Sequence, residues 1–394
     1  MDLKLSSLPV LKGNPAETYP TRRRAKLTAI VILCAVLGVS EVVLLLRFPV
    51  ALMLLSRYYI ATPYLPVYLL LFLLSIYVIL LLHECGHAIS AYLTRCQILV
   101  YSAGPLRIQR TRQGLRVHLN KGRRFFQGWL SSLPLDSNHL RRRRLLIAAG
   151  GPLADAFQAG VYFACSFLPG IASGPCGFLR LLAGVALLDC LGNCVPHRVS
   201  SRVLSDGGHM LLLIRGGPPL EREMAITLLR MSVAEGNGPL EWPKTLIDKA
   251  TALPDGTPED VQGCTFAYYR ALAEADIAQA QALLERMLAA RKNISADARS
   301  RLAAEAAYFE ARYHQNSKAA LVWGEQAKNP RPGRCPLLRA AAAVLIVEQK
   351  PDKARLCIQR AQKAAEHLLF PGEERREKLL LADLLTELAK QEGQ

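Results

Sequence analysis

Two histidines and a glutamate close an apolar run: Leu80-Leu81-Leu82-His83-Glu84-Cys85-Gly86-His87. The residues leading into them, 67–82, carry no charge. On a helix, positions i and i+4 lie one turn apart on the same face. His83 and His87 can then bind one zinc ion, with Glu84 beside them as a general base. A stretch of Leu and Val normally excludes His and Glu unless they have work to do, whereas two polar residues ending a soluble helix would be the bland alternative. The chemistry implied is hydrolysis in or beside a membrane. It needs a third protein ligand and one open coordination position.

The composition bears on where that chemistry takes place. Over 394 residues the hydrophobic fraction is 51%, slightly above the usual range for soluble domains, and the excess lies in the first half. The net charge is +17, with arginines clustered at Arg22, Arg23 and Arg24 and again from Arg141 to Arg144, each cluster beside an apolar stretch. Such clusters fix membrane topology. No base-reading motif accompanies them, which excludes nucleic acid as a partner. The ten cysteines are scattered and read as reduced thiols used as small hydrophobes. Cys190 and Cys194, one helical turn apart, read as ordinary helix packing. Residues 1–26 are polar and basic, and the apolar run after them is of spanning length, so no cleavable signal peptide is expected.

The elements that must position the motif are read in order. Residues 1–26 form a basic cytoplasmic tail. A first span covers 27–46 and is interrupted by Glu41, an intramembrane acid or one solvated at the far interface. A second begins at 67 and its helix continues through the motif to about Thr94. Alternating segments at 98–101, 106–109 and 115–119 predict short strands and a β-hairpin, a structural cap or an edge for an extended substrate. Its arginines place it on the cytoplasmic side. A third span, 145–168, opens with Ala149-Gly150-Gly151-Pro152-Leu153-Ala154-Asp155, glycines suited to close helix packing. Asp155 there reads either as a hydrogen-bond partner for the metal site's surroundings or as a solvated charge.

A fourth span, 181–195, carries Asp189 and ends at Asn193-Cys194-Val195-Pro196, followed by Ser205-Asp206-Gly207-Gly208-His209. On composition Asp-Gly-Gly is a surface turn. Four spans with both termini cytoplasmic, however, bring the ends of spans two and four to one membrane face, where His83, His87 and Asp206 can converge as metal ligands. His209 is not needed, since three ligands suffice.

Residues 27–215 thus form a membrane domain and 216–260 a Gly- and Pro-containing linker. Residues 261–394 form a soluble helical domain. Loosely repeated helix pairs at 267–287, 307–327 and 341–361, with Tyr268-Tyr269 and Tyr308-Phe309 recurring 40 residues apart, resemble tetratricopeptide-like repeats. Such a stack would bind a partner protein or peptide, or a second copy of the chain; a helical bundle with no partner is the plain alternative. The expected fold class is an α-helical membrane protein of about four transmembrane helices with a small β-hairpin insertion, followed by this domain.

His83-Glu84-Cys85-Gly86-His87, Gly151-Pro152 and the stretch from Asn193 to Gly208 together resemble the site-2 protease family of intramembrane zinc metalloproteases, over about residues 65 to 215. The resemblance implies zinc held by His83, His87 and Asp206, water activated by Glu84, and Asn193 close to the site. Asp155 stands where that family commonly has Asn. The function implied is hydrolysis of a membrane-embedded protein or peptide near the cytoplasmic face of a lipid bilayer. Two alternatives are a zinc peptidase acting on small precursor or signal peptides and a non-catalytic membrane scaffold. Neither substrate identity nor oligomeric state is written in these residues.

Overall fold

The computed structural model describes residues 65–120, 127–169, 173–200, 203–327 and 334–392. The expected tail, the first span and Glu41 lie outside them. The first element, helix α1 (Leu65–Leu93), carries the histidine motif. It stops where Thr94 turns its hydroxyl back onto Ser90 O (2.6 Å) and Arg95 takes a left-handed backbone, φ 57°, reversing the chain into a sheet.

Strands β1 (Cys96–Ala103), β2 (Leu106–Thr111), β3 (Gly114–Leu119) and β4 (Gly128–Pro134) form one antiparallel sheet in the order β3-β2-β1-β4. Three of these correspond to the expected strands. The fourth was not legible, because Gly-Trp-Leu-Ser-Ser-Leu-Pro lacks alternation; it is recruited by pairing with β1, from Cys96 opposite Pro134 to Ala103 opposite Gly128. One face of the sheet packs Ile98, Tyr101 and Ala103 against Leu81, Cys85 and Ala88 of α1, and the Tyr101 hydroxyl donates to Leu81 O at 2.9 Å. The sheet is thereby fastened alongside the histidine motif.

Helix α2 (Leu140–Cys165) lies between α1 and α3 (Ser173–Cys194). Its crossing with α1 is set by two glycines. A side chain on Gly150 would place its Cβ 2.5 Å from Gly86 O, and one on Gly86 would strike Gly150 O. Two backbones in contact require two residues without Cβ. Among the described residues only α1, over Leu70–Leu93, and α3, over Cys176–Cys194, are long and apolar enough to cross a membrane. The expected third span is the helix α2, but it opens on Arg141 to Arg144 and buries Asp155 completely.

After α3, a two-stranded hairpin of β5 (Arg198–Ser200) and β6 (Val203–Leu204) leads into α4 (Asp206–Arg215). Arg141 closes the other end of α4, donating to Leu213 O (2.5 Å) and Ile214 O (2.7 Å). The arginine run therefore has local work beyond any role in topology.

The expected linker over 216–260 contains the helices α5 (Pro218–Ala234) and α6 (Lys244–Thr251). Glycine and proline sit in its turns, while Leu229, Trp242, Leu246 and Ala250 belong to the main core. That core is continuous with the sheet through Leu99, Val100 and Leu133, and Arg144 ties α2 to Glu223 and to Thr227 Oγ1 (2.7 Å) of α5.

Three helix pairs follow: α7 (Pro258–Ala273) with α8 (Ile277–Ala289), α9 (Ala296–Arg312) with α10 (Ser317–Gln326), and α11 (Arg334–Val347) with α12 (Pro351–Ala365). Helix α13 (Pro371–Glu392) closes the chain. The pairs begin at 258, 296 and 334, 38 residues apart; Tyr268 and Tyr308, on the first helices of the first two pairs, are both fully buried.

Four elements of this core share buried charge. Arg339 donates to Glu377 Oε2 (3.0 Å) and Glu305 Oε1 (2.7 Å), and Tyr269 donates to the same Glu305 oxygen at 2.7 Å. Burial by itself would raise the Glu377 carboxyl, but the guanidiniums of Arg339 and Arg376 hold it below its ordinary 4.5. A carboxyl so depressed stabilises the fold fully above about pH 4.5 and loses that contribution as pH falls through its folded value. Removing it with Glu377→Leu leaves the buried Arg339 with Glu305 as its remaining carboxylate partner and should destabilise by about 3–5 kcal/mol. Chemical unfolding followed by circular dichroism measures the loss, and a variant as stable as the wild type overturns it.

Candidate metal centre

The side chains of His83 and His87 point from α1 toward α2, which supplies a partner to each ring. His83 Nδ1 lies 2.6 Å from Asp155 Oδ2, and His87 Nδ1 lies 2.6 Å from Ile147 O. A carboxylate and a carbonyl can only accept, so both Nδ1 atoms are turned to donate their protons, which leaves the two Nε2 atoms as the positions able to bind a metal. Those two Nε2 atoms face each other at 3.2 Å.

The third member comes from a different direction. Asp206 is the first residue of α4 and not part of a turn: Ser205 caps the helix by accepting from Gly208 N (3.1 Å) while its hydroxyl donates to Val195 O (2.8 Å). That second bond moors the start of α4 to the end of α3. Gly207 completes the mooring, because any Cβ there would collide with Cys194 O. Gly207 after Asp206 is therefore a packing requirement at a helix start, where composition alone suggested a surface turn. As a result Asp206 Oδ2 lies 3.3 Å from His83 Nε2 and Oδ1 lies 3.4 Å from His87 Nε2. Burial would push the Asp206 carboxyl up, but its contacts with the two histidines outweigh this and hold it below the ordinary carboxylate range.

Three side chains thus converge in a triangle, the two Nε2 atoms 3.2 Å apart and the two oxygens of Asp206 lying 3.3 and 3.4 Å from one of them each. Bonds of about 2.0–2.1 Å to a tetrahedral ion give a donor–donor edge of roughly 3.3 Å, so the triangle has the dimensions of one face of such a site. Gly151 of α2 keeps the approach open: a Cβ there would stand 2.5 Å from His83 Nε2 and 2.5 Å from His87 Nε2.

Glu84 lies outside the triangle and is buried, 4% exposed, with Oε2 lacking any hydrogen-bond partner. It abuts the start of β4, where a side chain on Gly128 would strike Glu84 Oε1. The sheet edge thus runs directly past a carboxylate that is not engaged elsewhere.

The Asn193 amide donates to Asp189 Oδ1 at 3.2 Å and makes no hydrogen bond to His83, Glu84, His87 or Asp206. His209 is absent from the converging group. Sequence reasoning missed Gly128 and the Ile147 carbonyl as parts of the site, and it noted Gly151 for close helix packing and in the family resemblance, not as a neighbour of the two Nε2 atoms. Compared with models of protein families, with curated proteins and with solved structures, the chain matches none, so the site rests on its own geometry.

Proposed function

We propose that the chain is a zinc-dependent peptidase of the site-2 protease type, cutting a membrane-embedded protein or peptide near the cytoplasmic end of α1. The observation that carries the reading is the triangle of His83 Nε2, His87 Nε2 and Asp206 at 3.2–3.4 Å, with a buried, unengaged Glu84 beside it. Two imidazoles and a carboxylate, with a fourth position free, are a donor set suited to catalytic zinc. Bound there, the ion would supply Lewis acidity, easing loss of a proton from water and polarising a carbonyl.

The chain's own residues do the rest. Glu84 takes the proton as the water oxygen attacks the scissile carbonyl carbon, and returns it to the amine nitrogen as the C–N bond breaks. The low polarity around its carboxylate strengthens each of these contacts. A helical substrate hides its carbonyls in hydrogen bonds and must unwind before attack. The outer edge of β4, which begins at Gly128 against Glu84 and pairs with no other strand among the described residues, offers backbone partners to an extended segment. Two apolar helices of spanning length support a membrane setting, in which four spans and cytoplasmic termini remain the topology proposed from charge. The helix pairs from 258 onward are the proposed docking surface for a protein partner.

Asp206→Ala tests the ligand set. The variant is expected to bind zinc at least about tenfold more weakly and to cleave no substrate, read by metal analysis of purified protein and by cleavage in membranes. Unchanged zinc content removes Asp206 from the set and the reading with it.

A further inference from the structure

The two histidines of the triangle are not held alike. His87 gives its Nδ1 proton to a backbone carbonyl, whereas His83 gives its own to a carboxylate that is 0% exposed. A backbone carbonyl is a fixed neutral acceptor. A buried carboxylate adds a full charge to the acceptor, strengthens the bond and raises electron density on the distal nitrogen. Behind Asp155 stands Asp189 of α3: donor atoms of His83, Asp155 and Asp189 all lie within 4.8 Å of one another. Asn193, one turn on, donates to Asp189 Oδ1. Asn193, Asp189, Asp155 and His83 thus form a polar line leading through α3 and α2 to the triangle.

Building on the zinc reading above, we propose that Asp155 is a positioning residue. It takes the Nδ1 proton of His83, locks the ring so that Nε2 faces the triangle, and makes His83 the stronger of the two imidazole donors. A doubly charged ion held by His83 would offset part of the negative charge that Asp155 and its neighbouring carboxylates bring to this buried place. Among the described residues no Lys or Arg side chain is hydrogen-bonded to Asp155, and its second oxygen, Oδ1, is buried without a partner. Asn in its place would preserve shape and one acceptor oxygen but remove the charge. Ala would remove both.

The test is zinc affinity of the full chain in detergent, measured by competition against a chromophoric chelator for the wild type, Asp155→Asn and Asp155→Ala. Visible absorption of the cobalt-substituted proteins reports the donor strength of His83. The expected order is wild type tightest, Asp155→Asn weaker, and Asp155→Ala weakest, by about 10- to 100-fold, with a shifted cobalt spectrum in Asp155→Asn at unchanged thermal stability. Equal affinity and identical spectra in wild type and Asp155→Asn overturn the positioning role. An Asp155→Asn chain that fails to fold while the metal-free wild type stays folded overturns it too, because Asp155 would then be a structural residue. A wild type that takes up no zinc condemns the zinc reading itself, a different outcome from either.

Discussion

Replacing Glu84 by Gln should leave the metal in place and remove cleavage. Glu84 stands outside the triangle of His83, His87 and Asp206, so its charge is not a ligand. Gln has the same shape and fits the narrow space against Gly128 that admits no added Cβ. What the amide cannot do is accept a proton from water and pass it on. General acid–base catalysis of this kind contributes roughly 10²- to 10⁴-fold, and a loss of that size is expected with zinc content equal to the wild type. Wild-type cleavage by the variant would end the assignment of Glu84 as base. The same variant, bound but inactive, should retain membrane proteins when purified from membranes. Recovery of soluble proteins alone, attached through the helix pairs beyond residue 258, would favour the scaffold alternative.

Gly151→Ala is expected to close the centre without touching a ligand. Its Cβ would lie 2.5 Å from each Nε2, well inside van der Waals contact, and those are the atoms whose lone pairs a metal needs. Forcing one methyl group into packed structure costs about 1–3 kcal/mol, equivalent to roughly ten- to hundredfold in zinc affinity at 1.4 kcal/mol per decade. Gly160, on the same helix, provides the control, since a Cβ there meets nothing within 4 Å. Chelator competition should therefore show weak zinc binding in Gly151→Ala and wild-type binding in Gly160→Ala. Wild-type affinity in Gly151→Ala would place the ion away from the face that Gly151 guards.

How far the sequence reveals this centre differs from residue to residue. His83, Glu84 and His87 are local: their order and their spacing on one helix follow from backbone periodicity alone. Asp206 is 119 residues beyond His87 and was reached by an argument about which membrane face two helices share. The contact itself depends on Ser205 holding Val195 O and on Gly207 fitting against Cys194 O, neither of which a hydropathy pattern contains. Asn193 was put near the site by the family resemblance; in the structure its amide donates to Asp189.

The same division holds for the fold. Long apolar helices, the three repeating helix pairs and most of the sheet declare themselves through composition and period, because burial of one face is written into every few residues. Strand β4 does not, since half of what makes it a strand belongs to β1. Nor do α5 and α6, where glycine and proline at the turns outweighed the apolar residues between them.

The sequence by itself determined the chemistry on offer: two imidazoles and a carboxylate at one helix end, a second carboxylate far along the chain, and apolar helices to carry them. Tertiary structure alone decided which lone pairs meet. Backbone contact at Gly86 and Gly150 sets the helix crossing, Asp155 and Ile147 orient the rings, and Gly151 leaves the converging nitrogens uncovered. Such decisions turn on distances of a few tenths of an ångström between segments remote in the chain, and local propensity does not specify them.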